Sequence, residues 1–157
     1  MENLTRIASF SVNHDYITEG IYVSRIDGDV TTYDMRTRVP NNCDDDYMSN
    51  LTMHSFEHLF ATYVRNCEIG SRVIYFGPMG CQTGFYLLVR NADNAETLLA
   101  VKSVLEKIIA HSTEMPGAKR EECGNYKNLD LESAKFEARK YLAVLNSKEN
   151  DFKYPEA

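Results

Sequence analysis

The sequence predicts an α+β domain in which a mainly antiparallel sheet is covered by helices. Three observations carry that expectation. Strand-forming runs at 21–26 and 30–39 flank Asp27-Gly28-Asp29, a cluster of turn formers that makes the pair a hairpin. Two further runs, 72–76 and 85–90, flank the glycine-rich stretch Gly77-Pro78-Met79-Gly80-Cys81-Gln82-Thr83-Gly84. Three segments with helical spacing of apolar residues interleave with these pairs only loosely, which favours neighbouring strands pairing with each other over parallel crossovers. A chain of 157 residues corresponds to a single domain over 1–157, able to bury roughly two thirds of its unfolded surface without disulfides.

Taken in order, 7–12 reads as a first strand, followed by the hairpin. Asp44-Asp45-Asp46, after Pro40-Asn41-Asn42, reads as a polar loop. Ser49 is the N-cap of a helix reaching about Asn66, with Leu51, Phe56, Leu59, Phe60, Tyr63 and Val64 spread over much of its circumference. A helix of that kind is buried. Asp93 and Glu96 form a capping box for a helix from 94 to about 111, in which Leu98, Val101, Leu105 and Ile108 recur at helical spacing. Residues 115–128, with Pro116, Gly117 and Gly124, read as an irregular crossover, and Asp130 caps a last amphipathic helix through Asn146.

An apolar share of 43% and a charged share of 25% are those of a soluble globular protein. No apolar run approaches the roughly 20 residues of a membrane helix. Met1-Glu2-Asn3-Leu4-Thr5-Arg6 lacks the basic and apolar regions of a secretory signal, so a cytoplasmic location is expected. A net charge of -6 and pI near 5.2 argue against a nucleic-acid partner, which would call for a basic stripe. Cys43, Cys67, Cys81 and Cys123 form no C-x-x-C pair, and a disulfide framework is not expected in a reducing compartment.

The chemistry concentrates in His54-Ser55-Phe56-Glu57-His58. At about 100° per residue, His54 and His58 lie some 40° apart and Glu57 some 60° to the other side of His54, so all three face one space. Two imidazoles at i and i+4 can share a divalent metal while the carboxylate reaches a molecule bound there. The order H-x-x-E-H inverts the metallopeptidase helix, giving an inverted-zincin-like metal helix. Burying these groups costs roughly 2–7 kcal/mol each unless they find partners or a metal. A third ligand must come from the remaining cysteines or carboxylates. Cys123, in the irregular segment before Gly124, is the best of them, and an S,N,N set leaves a fourth position for water or substrate. Cys81 sits among glycines that permit unusual backbone angles, a suitable place for a nucleophile or base. Beside a cation such as Arg36 a thiol gives up its proton more readily. Cys67 falls on the far side of the helix and is set aside with Cys43.

These motifs, with Glu122-Cys123-Gly124, Ser9-Phe10 ahead of His14, Tyr33-Asp34-Met35-Arg36 and Asp130-Leu131-Glu132, resemble the S-ribosylhomocysteine lyases, the LuxS or autoinducer-2 synthase family, over nearly the whole chain. The resemblance implies a carbon–sulfur lyase that binds one Fe2+ per subunit, replaceable by Zn2+ or Co2+, through His54, His58 and Cys123. It implies Cys81 and Glu57 as the two acid/base groups. S-ribosylhomocysteine would be cleaved to homocysteine and 4,5-dihydroxy-2,3-pentanedione, the autoinducer-2 precursor, by carbonyl migration through enediolates and β-elimination. It further implies that Ser9, His14 and Arg36 line the sugar end, that Arg65 meets the amino-acid end, and that a homodimer builds each site from both subunits. The chain departs from the family at Tyr75-Phe76-Gly77, where relatives usually carry an aspartate, a hydrophobe and a serine, and at Ser55, which replaces a threonine. A peptidase reading would have Glu57 activate water and would need no Cys81 motif. A binding module would close the site with four protein ligands.

Overall fold

The computed structural model describes residues 3–156; the reading made at Met1 and Glu2 lies outside them. Four strands form one sheet: β1 (Gly20–Asp27), β2 (Val30–Arg36), β3 (Val73–Pro78) and β4 (Gly84–Arg90), in the order β1-β2-β4-β3 with every pairing antiparallel. The expected α+β architecture is the one observed.

Three helices cover one face: α2 (Asn50–Arg65), α3 (Asn94–Ala110) and α4 (Leu131–Asn146), while α1 is a single turn over Ala8–Ser11. Each long helix begins at the residue its sequence marks. Ser49 Oγ accepts from the Thr52 amide at 3.1 Å, Asp93 Oδ1 from Glu96 at 2.9 Å, and Asp130 Oδ2 from Ser133 at 3.1 Å. Only half of the expected capping box closes, because the Glu96 carboxylate turns instead to Arg72.

Two strand expectations are corrected. Residues 7–12 contain α1 rather than a strand: the Phe10 amide and the Ser11 hydroxyl both return to the Ile7 carbonyl, at 3.0 and 3.3 Å, so these groups bond locally instead of to the sheet. The second strand ends at Arg36 rather than Val39, because the amides of Thr37 and Arg38 both turn to the Thr83 carbonyl, at 3.0 and 3.1 Å.

The core lies between sheet and helices. Phe56 and Phe60 of α2 meet Phe76 of β3 and Phe85 of β4, with ring centroids 4.3–6.2 Å apart. Tyr33, Met35, Leu87 and Val89 complete the strand side of this layer. The period of two places Thr32, Asp34 and Arg36 of β2 on the opposite face. Asp34 and Arg36 are nevertheless buried, because the C-terminal segment returns across that face. Phe152 bridges to Tyr22, and its carbonyl accepts from the Val23 amide at 2.8 Å, which partners the exposed edge of β1.

Candidate metal centre and active site

The first half of α2 carries His54, Glu57 and His58, all half-buried. The rings of His54 and His58 stand at 87° with centroids 4.6 Å apart. The crossover after α3 brings Cys123 to them, so that the donor atoms of His54, His58 and Cys123 all lie within 4.8 Å of one another. The Cys123 Sγ to His54 Nε2 separation is 3.4 Å. A tetrahedral cation with bonds of about 2.1 Å to nitrogen and 2.3 Å to sulfur has an edge of roughly 3.6 Å, so the donor set fits a divalent metal of the zinc or iron(II) type.

Both imidazoles are prepared for that role by the main chain. His54 Nδ1 lies 2.8 Å from the Asn128 carbonyl and His58 Nδ1 2.8 Å from the Pro116 carbonyl. A carbonyl can only accept, so each Nδ1 carries the proton and each Nε2 keeps the lone pair for a ligand bond. Gly117 makes the second contact feasible. It adopts φ +72°, and a Cβ there would lie 2.7 Å from His58 Nδ1. Ser55 fixes the geometry from behind: its hydroxyl donates to the Leu51 carbonyl and accepts from the Asp130 amide, both at 2.7 Å, tying the start of α4 to the metal helix. None of these supports was read from the sequence. Backbone carbonyls have no residue-type signature, and only the irregularity around Pro116-Gly117 hinted at them.

A cavity of about 420 Å³ opens beside the cluster, lined by His54 and Glu57 on one side and by Pro78, Met79, Gly80 and Gln82 on the other. The latter turn carries Cys81. Its unusual backbone angle falls on Gln82, φ +65°, and not on the flanking glycines as expected. Gln82 is held there by two bonds to Met48: its side-chain amide donates to the Met48 carbonyl at 2.8 Å and its own carbonyl accepts from the Met48 amide at 3.1 Å. Gly84 instead serves close approach, since a Cβ would lie 2.3 Å from the Met35 carbonyl.

Arg36 is buried behind Cys81 and linked to it through Thr83. Neither Cys81 nor any of the expected substrate residues Ser9, His14, Arg36 and Arg65 lines this cavity within one chain. Ser9 borders a separate groove with Tyr75 and Tyr86, and His14 Nδ1 bonds its neighbour's carbonyl at Val12. Arg65 donates to the carbonyls of Val73 and Ile74 at 3.3 and 3.0 Å. Cys67 bonds the Val64 carbonyl and Cys43 is exposed. At Tyr75-Phe76-Gly77 the two end residues are coupled: Tyr75 folds over Gly77 so closely that a Cβ would fall 2.1 Å from the tyrosine hydroxyl.

Among known proteins, the family model described as S-ribosylhomocysteinase (LuxS) matches residues 7–152. An S-ribosylhomocysteine lyase of Finegoldia magna is 42% identical over 159 residues, covering 98% of this chain and all of the relative. One from Borreliella afzelii is 40% identical over 159 residues, covering 97% of this chain and all of the relative. One from Clostridium acetobutylicum is 40% identical over 160 residues, covering 98% and 100%. With the His-His-Cys cluster already in place, these matches establish that the chain belongs to the S-ribosylhomocysteinase (LuxS) family.

Proposed function

We propose that this protein is a metal-dependent lyase that cleaves the thioether of S-ribosylhomocysteine to homocysteine and 4,5-dihydroxy-2,3-pentanedione. The observation that carries the reading is the convergence of three soft and borderline donors, His54, His58 and Cys123, beside a cavity whose other walls hold Glu57 and the Cys81 turn. About 420 Å³ is within the size range of small-molecule sites. A divalent cation held by the three donors, Fe2+ in our reading, supplies a Lewis acid for the sugar carbonyl.

The protein's own contribution is to place two proton carriers on separate elements. Cys81 Sγ takes and returns the carbon-bound proton in the early shifts that move the carbonyl along the sugar. The Glu57 carboxylate serves the later shift and the elimination that releases the homocysteine thiol. Met53, Pro78 and Met79 give the cavity apolar walls beside these groups. Arg36 holds negative charge near Cys81. Ser9, His14 and Arg65, which lie away from this cavity, act across an interface between two copies. Support for such a homodimer comes from the exposed apolar side chains Ile7 and Tyr75 that line the groove Ser9 borders, and from Leu4 and Phe10, exposed in the same N-terminal segment. A cytoplasmic setting belongs to the same reading, since four free cysteines and iron(II) require reducing surroundings.

Free thiol released from S-ribosylhomocysteine by the reduced, iron-loaded protein tests the assignment. Release well above a chelator-treated control is expected, and no release above it sinks the lyase reading.

A further inference from the structure

Behind Cys81 runs a hydrogen-bonded chain in which the donors are fixed as far as Thr83. Tyr154 donates its hydroxyl to Asp34 Oδ2 at 2.7 Å. Asp34 accepts from Arg36 twice, Nε to Oδ1 and Nη2 to Oδ2, both at 2.9 Å. Arg36 Nη1 then donates to Thr83 Oγ1 at 2.7 Å, and Thr83 Oγ1 lies 3.0 Å from Cys81 Sγ. Arginine has donors only, so Thr83 must accept from it and keeps its own proton for another partner. Thr83 is 2% exposed, and among the described residues the Cys81 sulfur is its one other side-chain partner.

We propose that Thr83 is the positioning residue of Cys81: its hydroxyl, turned by Arg36, donates to the sulfur and so fixes where that sulfur points and how its negative charge is met after proton loss. The proposal rests on the reading of Cys81 as a proton carrier. Among the described residues Arg36 on β2 is joined to the sulfur by hydrogen bonds through this hydroxyl, while its charge also acts on Cys81 through space. Tyr86 on β4 and both Glu57 and His54 on α2 are further titratable groups close to the turn. Thr83 is thus the joint at which a buried ion pair on the far face of the sheet acts on the exposed sulfur of Cys81, whose neighbours Gly80 and Gln82 line the cavity beside α2.

The test compares Thr83→Val, Thr83→Ala and Thr83→Ser as full-length, metal-loaded proteins. Two readouts are taken: the rate at which iodoacetamide modifies Cys81 at pH 7, resolved by peptide mass, and kcat against KM for thiol release. Val and Ala should slow Cys81 alkylation about fivefold and lower kcat with little change in KM, while Ser stays within about twofold of the parent. Parent-like alkylation in Val and Ala, or an equal loss in Ser, overturns the proposal. Both valine and alanine deprive a buried Arg36 N–H of its acceptor, but alanine leaves room for a water there, so the alanine variant decides if the valine variant does not fold. A parent that alkylates as expected but releases no thiol overturns the lyase reading instead.

Discussion

At the scale of single residues, the centre is held less by its ligands than by what orients them. Gly117 is the sharpest case. Replacing it with alanine brings a methyl carbon to 2.7 Å from His58 Nδ1 and strains a backbone at φ +72°. The Pro116 carbonyl then loses the imidazole, and metal affinity should fall about 10- to 100-fold, measured by chelator competition, with the fold retained. Glu57→Gln makes the opposite dissection. It keeps size and polarity, so metal content should match the parent, while thiol release drops roughly 10²- to 10⁴-fold through loss of a proton carrier. Parent-like turnover in this variant would remove Glu57 from the mechanism. The convergence of His54, His58 and Cys123 could be read from sequence because a shared metal needs particular side chains at a particular spacing, and the roles proposed for Glu57 and Cys81 rest on the same kind of signal. Asn128 and Pro116 could not, since they act through carbonyls that every residue possesses.

At the scale of elements, the metal helix owes its position to aromatic packing. Phe76 touches Phe56, Phe60 and Phe85 and is almost fully buried. Phe76→Ala should lower unfolding free energy by about 3–5 kcal/mol in urea titration, with an unchanged helical signal in the remaining folded protein. The C-terminal segment serves the other face of the sheet. Tyr154 stacks on Tyr22, with centroids 4.9 Å apart, and bonds Asp34. Tyr154→Phe keeps the ring and removes the bond to a carboxylate, for an expected loss of roughly 1.5 kcal/mol. The helices and the hairpin were legible because periodicity and caps act locally. The first turn at Ala8–Ser11 was not, because a short apolar run is compatible with either state and the Ser11 side chain closes it on itself.

At the scale of the whole molecule, tyrosines set the alkaline limit of stability. Burial pushes the hydroxyls of Tyr22, Tyr33, Tyr86, Tyr141 and Tyr154 above the ordinary tyrosine range, with the Asp34 carboxylate adding to the effect at Tyr154. A phenol held neutral in the native state favours folding fully below its unfolded value near pH 10. Above that, the unfolded chain releases protons that the native chain retains, so stability falls as pH rises. Thermal melts should therefore move to lower temperature between about pH 10 and pH 12, accompanied by the ultraviolet signature of phenolate. A melting temperature constant across that interval contradicts the buried-tyrosine account.

The main-chain support of the two imidazoles also determines how this site can fail through inheritance. A carbonyl survives every substitution at its own position, so Asn128 and Pro116 can be exchanged for other residues that keep the loop's path without deleting the acceptor. Length is what the arrangement cannot tolerate. One residue added or removed between α3 and Pro116 alters the path by which both carbonyls and Cys123 reach the imidazoles, so a single in-frame change can disturb three contacts at once.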